Sequence, residues 1–195
     1  MEYLKRLYYD FVSKIVFHVA QAIDDIRVPF TKKKVKYKHV LESKSLLKKG
    51  DIILTRTMGE LTTFLIPGHW KHGMVYGGNG KVIEATRIGV HESYLEDALM
   101  KTDQFAILRV KGITEDKVDI FYSYAELQIG KAYDFGLKVW DEDSQYCTEI
   151  LYHGLNKSMG KGFVVLRETL GFPTFTPDDC YKASKKFDII YQRRK

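Results

Sequence analysis

The stretch SQYCTEILYHGL, residues 144–155, determines how this chain is interpreted, because it places a cysteine at the predicted start of a helix. Apolar residues follow Cys147 at helical spacing, and Asp141, Asp143 and Ser144 precede it as groups that would cap a helix. The first turn of a helix carries unpaired N–H groups and the positive end of the helix dipole, which stabilise a thiolate. Cys147 is therefore a candidate nucleophile, although a lone cysteine in an apolar helix is also commonly a small buried side chain.

A cysteine nucleophile requires a proton partner, which in cysteine hydrolases is a histidine held by a third polar group. His72 is the best candidate among the six histidines, because it opens the apolar run HGMVYG, where Gly73 leaves room for a substrate or an approaching backbone. Glu84 lies in the otherwise apolar KVIEAT, where an unpaired carboxylate would cost free energy. If these two runs pair as strands, Glu84 would lie near His72 and orient its ring. Two alternatives remain open. His69 is a rival base, and Glu84 would not orient His72 if it lay on an exposed edge of the sheet.

From Gly50 onward, the periodicity predicts an α+β fold with an antiparallel sheet. The predicted strands are GDIILTR, HGMVYG, KVIEAT, FAILRV and FDIIYQ, and the turn GGNGK predicts a hairpin between the second and the third. The predicted helices are SYLEDALMK, EDKVDIFYSYAELQIG, the Cys147 helix and a short helix opened by Pro177. The strands follow one another in runs, with helices before and after them. A parallel sheet would instead require strands and helices to alternate regularly along the chain.

Residues 1–45 form a separate predicted segment, an amphipathic helix followed by the basic connector RVPFTKKKVKYKH, and residues 46–195 form the predicted main domain. The apolar face of the helix comprises Leu4, Leu7 or Tyr8, Phe11, Ile15, Val19 and Ile23. Residues 1–50 carry twelve basic and five acidic side chains, which places the whole excess of positive charge there. Such a segment attracts anionic lipid or nucleic acid. The helix either packs on the domain or lies on a membrane surface.

The composition excludes several classes of protein. A chain of 195 residues with 45% hydrophobic content can bury one substantial core. Two cysteines without a CxxC pair or a Cys/His cluster argue against a disulfide framework and a structural zinc site, and Cys180 is interpreted as a buried hydrophobic residue. The N-terminus lacks the features of a signal peptide, and Asp10, Lys14 and His18 interrupt any membrane span. We therefore expect a cytoplasmic protein that requires no metal or other cofactor.

The segments GDIIL, KHGMVY, KVIEAT, GKAYDF and QYCTEIL, in this order, resemble the circularly permuted papain-like hydrolases of the YiiX and YaeF kind, which are related to the NlpC cell-wall peptidases. The resemblance covers roughly residues 50–190. It implies that Cys147 is the nucleophile, His72 the base and Glu84 the residue that orients the base. It also implies that Tyr133 lies beside the thiol, where its hydroxyl and the N–H of Cys147 would bind the developing oxyanion.

This resemblance implies a papain-like fold in which an antiparallel sheet or barrel packs against the cysteine helix. It further implies a cysteine hydrolase, an amidase, peptidase or acyl hydrolase, that works through an acyl-enzyme. Its substrate would be a peptide, another amide or an acylated lipid, since related permuted proteins similar to lecithin:retinol acyltransferase act on lipid acyl groups. Tryptophan and lysine precede His72 where a serine is common, which leaves substrate preference open.

The alternative is a papain-like module that binds a lipid or peptide at a membrane surface without turning it over. Whether the protein is an enzyme or a binding module, residues 1–40 would hold it peripherally at an anionic membrane. Nucleic acid is not an expected partner, because KKKVKYK offers charge and one tyrosine but no recognisable base-reading fold.

Overall fold

The computed structural model describes residues 34–58, 67–134, 143–169 and 172–194, and it contains ten strands and five helices within them. The strands are β1 (Ile52–Arg56), β2 (His72–Gly78), β3 (Lys81–Thr86), β4 (Gly89–Tyr94), β5 (Gln104–Val110), β6 (Ala132–Tyr133), β7 (Ser144–Gln145), β8 (Arg167–Thr169), β9 (Phe172–Thr174) and β10 (Phe187–Arg193). The helices are α1 (Tyr37–Lys44), α2 (Leu95–Met100), α3 (Glu115–Glu126), α4 (Cys147–Met159) and α5 (Pro177–Lys182). Further toward the N-terminus it describes Tyr8, Phe11, Val12, Ile15, His18 and Val19, all of them helical.

Six strands form one antiparallel sheet in the order β10-β5-β1-β2-β3-β4, which confirms the α+β class and the antiparallel sheet predicted from the sequence. All five predicted strands are present in it. Strand β4, GVHESY, was not predicted. It is an edge strand of the described sheet, and its polar His91, Glu92 and Ser93 are partly or largely exposed, so it lacks the apolar signal of a buried strand.

Helices cover both faces of this sheet. One hydrophobic core joins Leu54 of β1 and Val75 of β2 to Phe121 of α3 and Leu151 of α4. A second hydrophobic core lies on the opposite face of the sheet, where Ile53 of β1 packs together with residues of α1 and α2. Strands buried on both faces read as continuous apolar runs, which explains why IIL in β1 and AIL in β5 do not alternate with polar residues.

The segment predicted as a basic connector contains helix α1, which belongs to the packed structure. Val35 and Val40 are 3% and 0% exposed and lie in the second core. Packing therefore begins before residue 46, where the sequence placed the start of the main domain. The exposed lysines at 34, 36 and 38, which lie between and beside these two valines, conceal the apolar signal.

The N-terminal helix predicted to end before Pro29 is described only at the six residues named above, and Leu4, Leu7 and Ile23 lie outside the described residues. Phe11, Ile15 and Val19, on its predicted apolar face, are 66%, 48% and 46% exposed. No helix in the described part of the chain is both long and apolar enough to span a membrane.

Candidate active site

Cys147 is the first residue of α4, and its side chain is almost fully buried. The helix does not begin with the aspartate or serine cap expected from the sequence. Its N-cap is Tyr146, whose backbone N–H donates to the carboxylate of Glu149 at 3.2 Å. The hydroxyl of Thr148 donates to the carbonyl of Phe175, which ties the first turn to the chain before α5. Of the predicted caps, Ser144 lies in β7 instead, and Asp141 lies outside the described residues.

His72 is the first residue of β2, where it pairs with Thr55 of β1. Its Nε2 donates to Glu84 Oε2 at 2.8 Å, and the Cys147 thiol is near enough to the ring to raise its pKa. Because Nε2 is occupied by the carboxylate, Nδ1 is the nitrogen left for the sulfur. The structure thus brings together Cys147, His72 and Glu84, with the histidine between the other two.

The electrostatics of the pair favour a thiolate and an imidazolium. Burial by itself would raise the pKa of the Cys147 thiol, but the hydrogen bond with His72 and those from the backbone of Gly73 and Thr148 lower it below its ordinary value. Burial would lower the pKa of His72, but its bonds with Cys147 and Glu84 outweigh that effect and raise the pKa to about 10. The site therefore supports an ion pair between the two groups at neutral pH.

Glu84 lies in the middle of β3 and is only 8% exposed. Burial would raise the pKa of this carboxyl, but the bonds from His72 and Ser93 prevail and lower it to about 2. Ser93 Oγ donates to Glu84 Oε1 at 2.6 Å, and His91 Nε2 lies 3.8 Å from the same oxygen. Ser93 and His91 were not among the site residues predicted from the sequence. The available signal was the alternation of His91 and Ser93 in a strand directly after β3.

Gly73, next to His72, gives the cysteine helix room to approach β2. A Cβ atom at this position would lie 2.9 Å from Leu151 Cδ1 and 3.2 Å from Thr148 Cγ2 of α4. The space that the sequence analysis assigned to a substrate or a backbone is therefore occupied by side chains of the helix. A larger residue would separate the strand that carries His72 from the helix that carries Cys147.

A short pair of parallel strands positions Tyr133: this residue of β6 pairs with Gln145 of β7. Gln145 is two residues before Cys147, and the partly buried Tyr133 packs against the same core. The role of its hydroxyl as an oxyanion donor stays a prediction.

The rival base His69 has other partners. Its Nε2 donates to Gln104 Oε1 at 2.7 Å, and its Nδ1 lies 3.3 Å from the guanidinium of Arg56. Both ring nitrogens are thus engaged away from the thiol, which favours His72 as the base. Asp178 of α5 accepts the backbone N–H groups of His69 and Trp70, and so holds the segment that enters β2.

Cys180 is fully buried in the core, and burial raises the pKa of its thiol. Such a thiol is a poor nucleophile, as the sequence analysis expected for this residue. Glu149 is also fully buried, and burial raises the pKa of its carboxyl to about 7. Across the described ranges, no group of three His, Cys, Asp or Glu side chains could hold a metal ion.

Comparison with known proteins identifies the family and the fold. Residues 46–191 match the model of a family described as permuted papain-like amidase enzymes, YaeF/YiiX, C92 family. The crystal structure of the metalloprotein yiiX from Escherichia coli O157:H7 is similar in fold, with a TM-score of 0.60 at 17% sequence identity over 75% of this chain and 97% of that one. At this identity the likeness establishes the fold alone. No curated protein sequence matches the chain.

Proposed function

The chain belongs to the YaeF/YiiX family of permuted papain-like amidases, the C92 family, and we propose that it hydrolyses an amide or ester bond through an acyl-enzyme on Cys147. Membership makes it a cysteine peptidase- or amidase-like enzyme. One observation supports the assignment of roles, namely that His72 Nε2 is hydrogen-bonded to the carboxylate of Glu84 while the thiol at the start of α4 acts on the same ring and raises its pKa.

In the first half of the reaction, the Cys147 thiolate attacks the substrate carbonyl carbon and forms a carbon–sulfur bond. The carbonyl oxygen becomes an oxyanion, which the backbone N–H of Cys147 and the hydroxyl of Tyr133 stabilise. The imidazolium of His72 then donates its proton to the leaving nitrogen or oxygen, and the bond between that atom and the carbonyl carbon breaks. The first product departs and leaves a thioester on Cys147 with a neutral His72.

In the second half, neutral His72 accepts a proton from water, whose oxygen attacks the thioester carbon. The carbon–sulfur bond breaks, the acid product leaves, and the thiolate and the imidazolium are restored. Glu84 stabilises the positive charge of His72 and fixes the ring so that Nδ1 faces the sulfur. Its carboxylate remains ionised throughout, as its lowered pKa requires.

The substrate is a peptide, another amide or an acylated lipid, and we propose that the enzyme meets it at an anionic membrane surface in the cytoplasm. The exposure of Phe11, Ile15 and Val19 supports this location, because an apolar helical face that is not packed on the domain is available to a membrane. The lysine-rich segment that follows adds electrostatic attraction to anionic lipid.

Trapping of the acyl-enzyme tests the proposed reaction. The protein is incubated with p-nitrophenyl esters and anilides of peptides and of fatty acids, and the intact mass and the modified peptide are measured. We expect an added acyl group on Cys147, with accumulation highest for the preferred acyl class and none in Cys147→Ala. Release of nitrophenol or nitroaniline without acylated Cys147 would contradict the mechanism. Binding without acylation or turnover of any compound would favour the non-catalytic module.

A further inference from the structure

The carboxylate of Glu84 uses both of its oxygens, and its second partner lies outside the three residues assigned above. Oε2 accepts from His72 at 2.8 Å, whereas Oε1 accepts from the hydroxyl of Ser93 at 2.6 Å. A hydroxyl that donates to a carboxylate at this distance forms a charge-assisted hydrogen bond, which is stronger than a bond between neutral groups. The chain of bonded groups therefore runs from Cys147 through His72 and Glu84 to Ser93.

The geometry of the sheet fixes Ser93 at this point. In the antiparallel pair of β3 and β4, His91 lies opposite Glu84 and Ser93 lies opposite Val82. Glu84 and Ser93 are thus diagonal neighbours on one face of the pair, a separation that a glutamate and a serine side chain span with a single hydrogen bond. Strand β4 places Ser93, and it borders only β3 in the described sheet.

The bond from Ser93 has two physical consequences for Glu84. A carboxylate held only through Oε2 can rotate about its terminal torsion and change the direction of its bond to His72, whereas a second bond at Oε1 fixes the carboxylate plane. The hydroxyl also solvates a buried negative charge that would otherwise lack a partner on that oxygen. Both effects keep Glu84 ionised and aligned with the His72 ring.

The other groups that face Glu84 do not supply this bond. His91 Nε2 is 3.8 Å from Oε1, which is beyond hydrogen-bond distance, while its Nδ1 bonds to the backbone carbonyl of Gly89. His72 and, beyond it, Cys147 lie on the opposite side of the carboxylate. Ser93 is therefore the hydrogen-bond donor to Oε1 among the described side chains.

We propose that Ser93 is a positioning residue of the active site, which acts through Glu84 to hold the imidazolium of His72 beside the Cys147 thiolate. This inference rests on the proposed roles of His72 and Glu84. It predicts that loss of the Ser93 hydroxyl affects the rate constant of the reaction more than substrate binding, because Ser93 touches Glu84 and not the substrate.

Nuclear magnetic resonance of the His72 ring in the full-length protein tests this role directly. The ring signals are assigned by their absence in His72→Asn, and the pKa of His72 is measured in wild type, Ser93→Ala and Ser93→Thr. We expect Ser93→Ala to lower the pKa of His72 by roughly half a unit to one unit, and kcat on the acylating substrate to fall on the order of tenfold with KM nearly unchanged. Ser93→Thr, which retains a hydroxyl, restores most of both values.

Ser123→Ala is the matched control, because it removes an exposed serine hydroxyl from α3 and is expected to leave the pKa of His72 and kcat unchanged. The inference is overturned if Ser93→Ala gives the wild-type pKa of His72, or if Ser93→Thr behaves as Ser93→Ala does while remaining folded. A purely structural role would lower the melting temperature without moving the pKa of His72. Because the pKa measurement needs no substrate, it decides the role of Ser93 even if no hydrolysis is found.

Discussion

Cys147 and Cys180 are both buried, yet their surroundings have opposite consequences for their thiols. Burial raises the pKa of Cys180, and its neighbour Asp179 adds to that effect. Cys147 experiences the same penalty, but His72 and the backbone of Gly73 and Thr148 reverse it. Burial alone therefore does not decide whether a cysteine is reactive, because a hydrogen-bonding partner of opposite charge can outweigh desolvation.

Replacement of each cysteine by alanine separates the two roles. We expect Cys147→Ala to lower turnover by about 10³-fold or more, since the acyl-enzyme cannot form, with little loss of stability. Cys180→Ala should keep wild-type turnover but lower the free energy of unfolding by about 1–2 kcal/mol, because it leaves a small cavity in the core. Steady-state kinetics and urea unfolding measure these effects. Full activity in Cys147→Ala would show that the nucleophile was assigned to the wrong cysteine.

The charge of Glu84 can be removed without changing its shape. Glu84→Gln still accepts a hydrogen bond from His72 but no longer stabilises its positive charge. We expect kcat to fall by roughly tenfold to several hundredfold, and not completely, because the thiol and the oxyanion donors remain in place. Glu92→Gln, a change of an exposed glutamate on β4, is the control and should leave kcat unaltered. Equal kinetics in the two variants would mean that another group orients His72.

The sequence revealed those site residues whose types are unusual for their positions. His72 was suggested by its position at the start of the apolar run HGMVYG, and a glutamate within the apolar KVIEAT requires a partner, which singled out Glu84 as the group beside His72. Ser93 and Glu149 gave no comparable signal, because serine and glutamate are common on exposed surfaces. Only the register of β3 with β4 places the partly buried Ser93 beside Glu84, and only the packing of α4 shows that Glu149 is buried.

At the scale of elements, the site depends on how closely β2 and α4 approach each other. The strand supplies His72 and the helix supplies Cys147, and Gly73 is the residue at which their surfaces meet. Periodicity predicted both elements correctly. It could not predict their separation, which depends on whether the side chains of Leu151 and Thr148 occupy the space above the glycine.

Gly73→Ala tests this contact. The added methyl group would meet the side chains of Leu151 and Thr148 at less than ordinary contact distance, so the helix and the strand must move apart. We expect the free energy of unfolding to fall by about 1–3 kcal/mol, and kcat to fall as His72 moves away from Cys147. The second change Leu151→Val, which removes a methylene group beside the clash, should restore part of both. Wild-type kcat in Gly73→Ala would contradict the importance of this approach.

The elements that sequence patterns missed have a common physical cause. Strand β4 lies at an edge of the described sheet and carries polar residues, and α1 buries only a few side chains among lysines. In both, tertiary packing stabilises an element whose own apolar pattern is weak. The elements buried on both sides, such as β1 and β5, were readily predicted from their apolar runs.

For the whole molecule, the positive charge is concentrated before residue 50, whereas the candidate active site is formed by residues after it. This separation is suited to an enzyme that is held at a surface by one part and reacts through another. The other interpretation of the N-terminal helix is that it packs on its own domain. The exposure of Phe11, Ile15 and Val19 disfavours such packing at these three residues.

Vesicle co-sedimentation of full-length variants tests membrane attachment. Substitution is preferable to truncation at residue 46, because Val35 and Val40 belong to the core. One variant replaces by glutamine the lysines at 32, 33, 34, 36 and 38, and the matched control replaces exposed lysines at 101, 111, 157, 161 and 185. Since each basic residue near an anionic surface contributes about 1 kcal/mol, the first variant should lose binding to phosphatidylserine vesicles at low salt and the control should retain it. Equal binding by both variants, or none by wild type, would rule out the basic segment as an anchor.

The most direct test of the ion pair between Cys147 and His72 is the pH dependence of Cys147 alkylation by iodoacetamide, followed by peptide mass spectrometry. The thiolate is the reacting form, so a lowered thiol pKa moves the rate curve to lower pH, and the raised pKa of His72 keeps its charge in place until the pH approaches about 10. In His72→Asn the hydrogen bond and the positive charge of His72 are lost, whereas burial remains and is opposed only by the backbone hydrogen bonds of Gly73 and Thr148, so the thiol pKa rises. We therefore predict that Cys147 in the wild-type protein reacts rapidly at pH 6, where the same cysteine in His72→Asn is nearly inert. Superimposable rate curves for the two proteins, both rising as those of an ordinary thiol, would contradict the account.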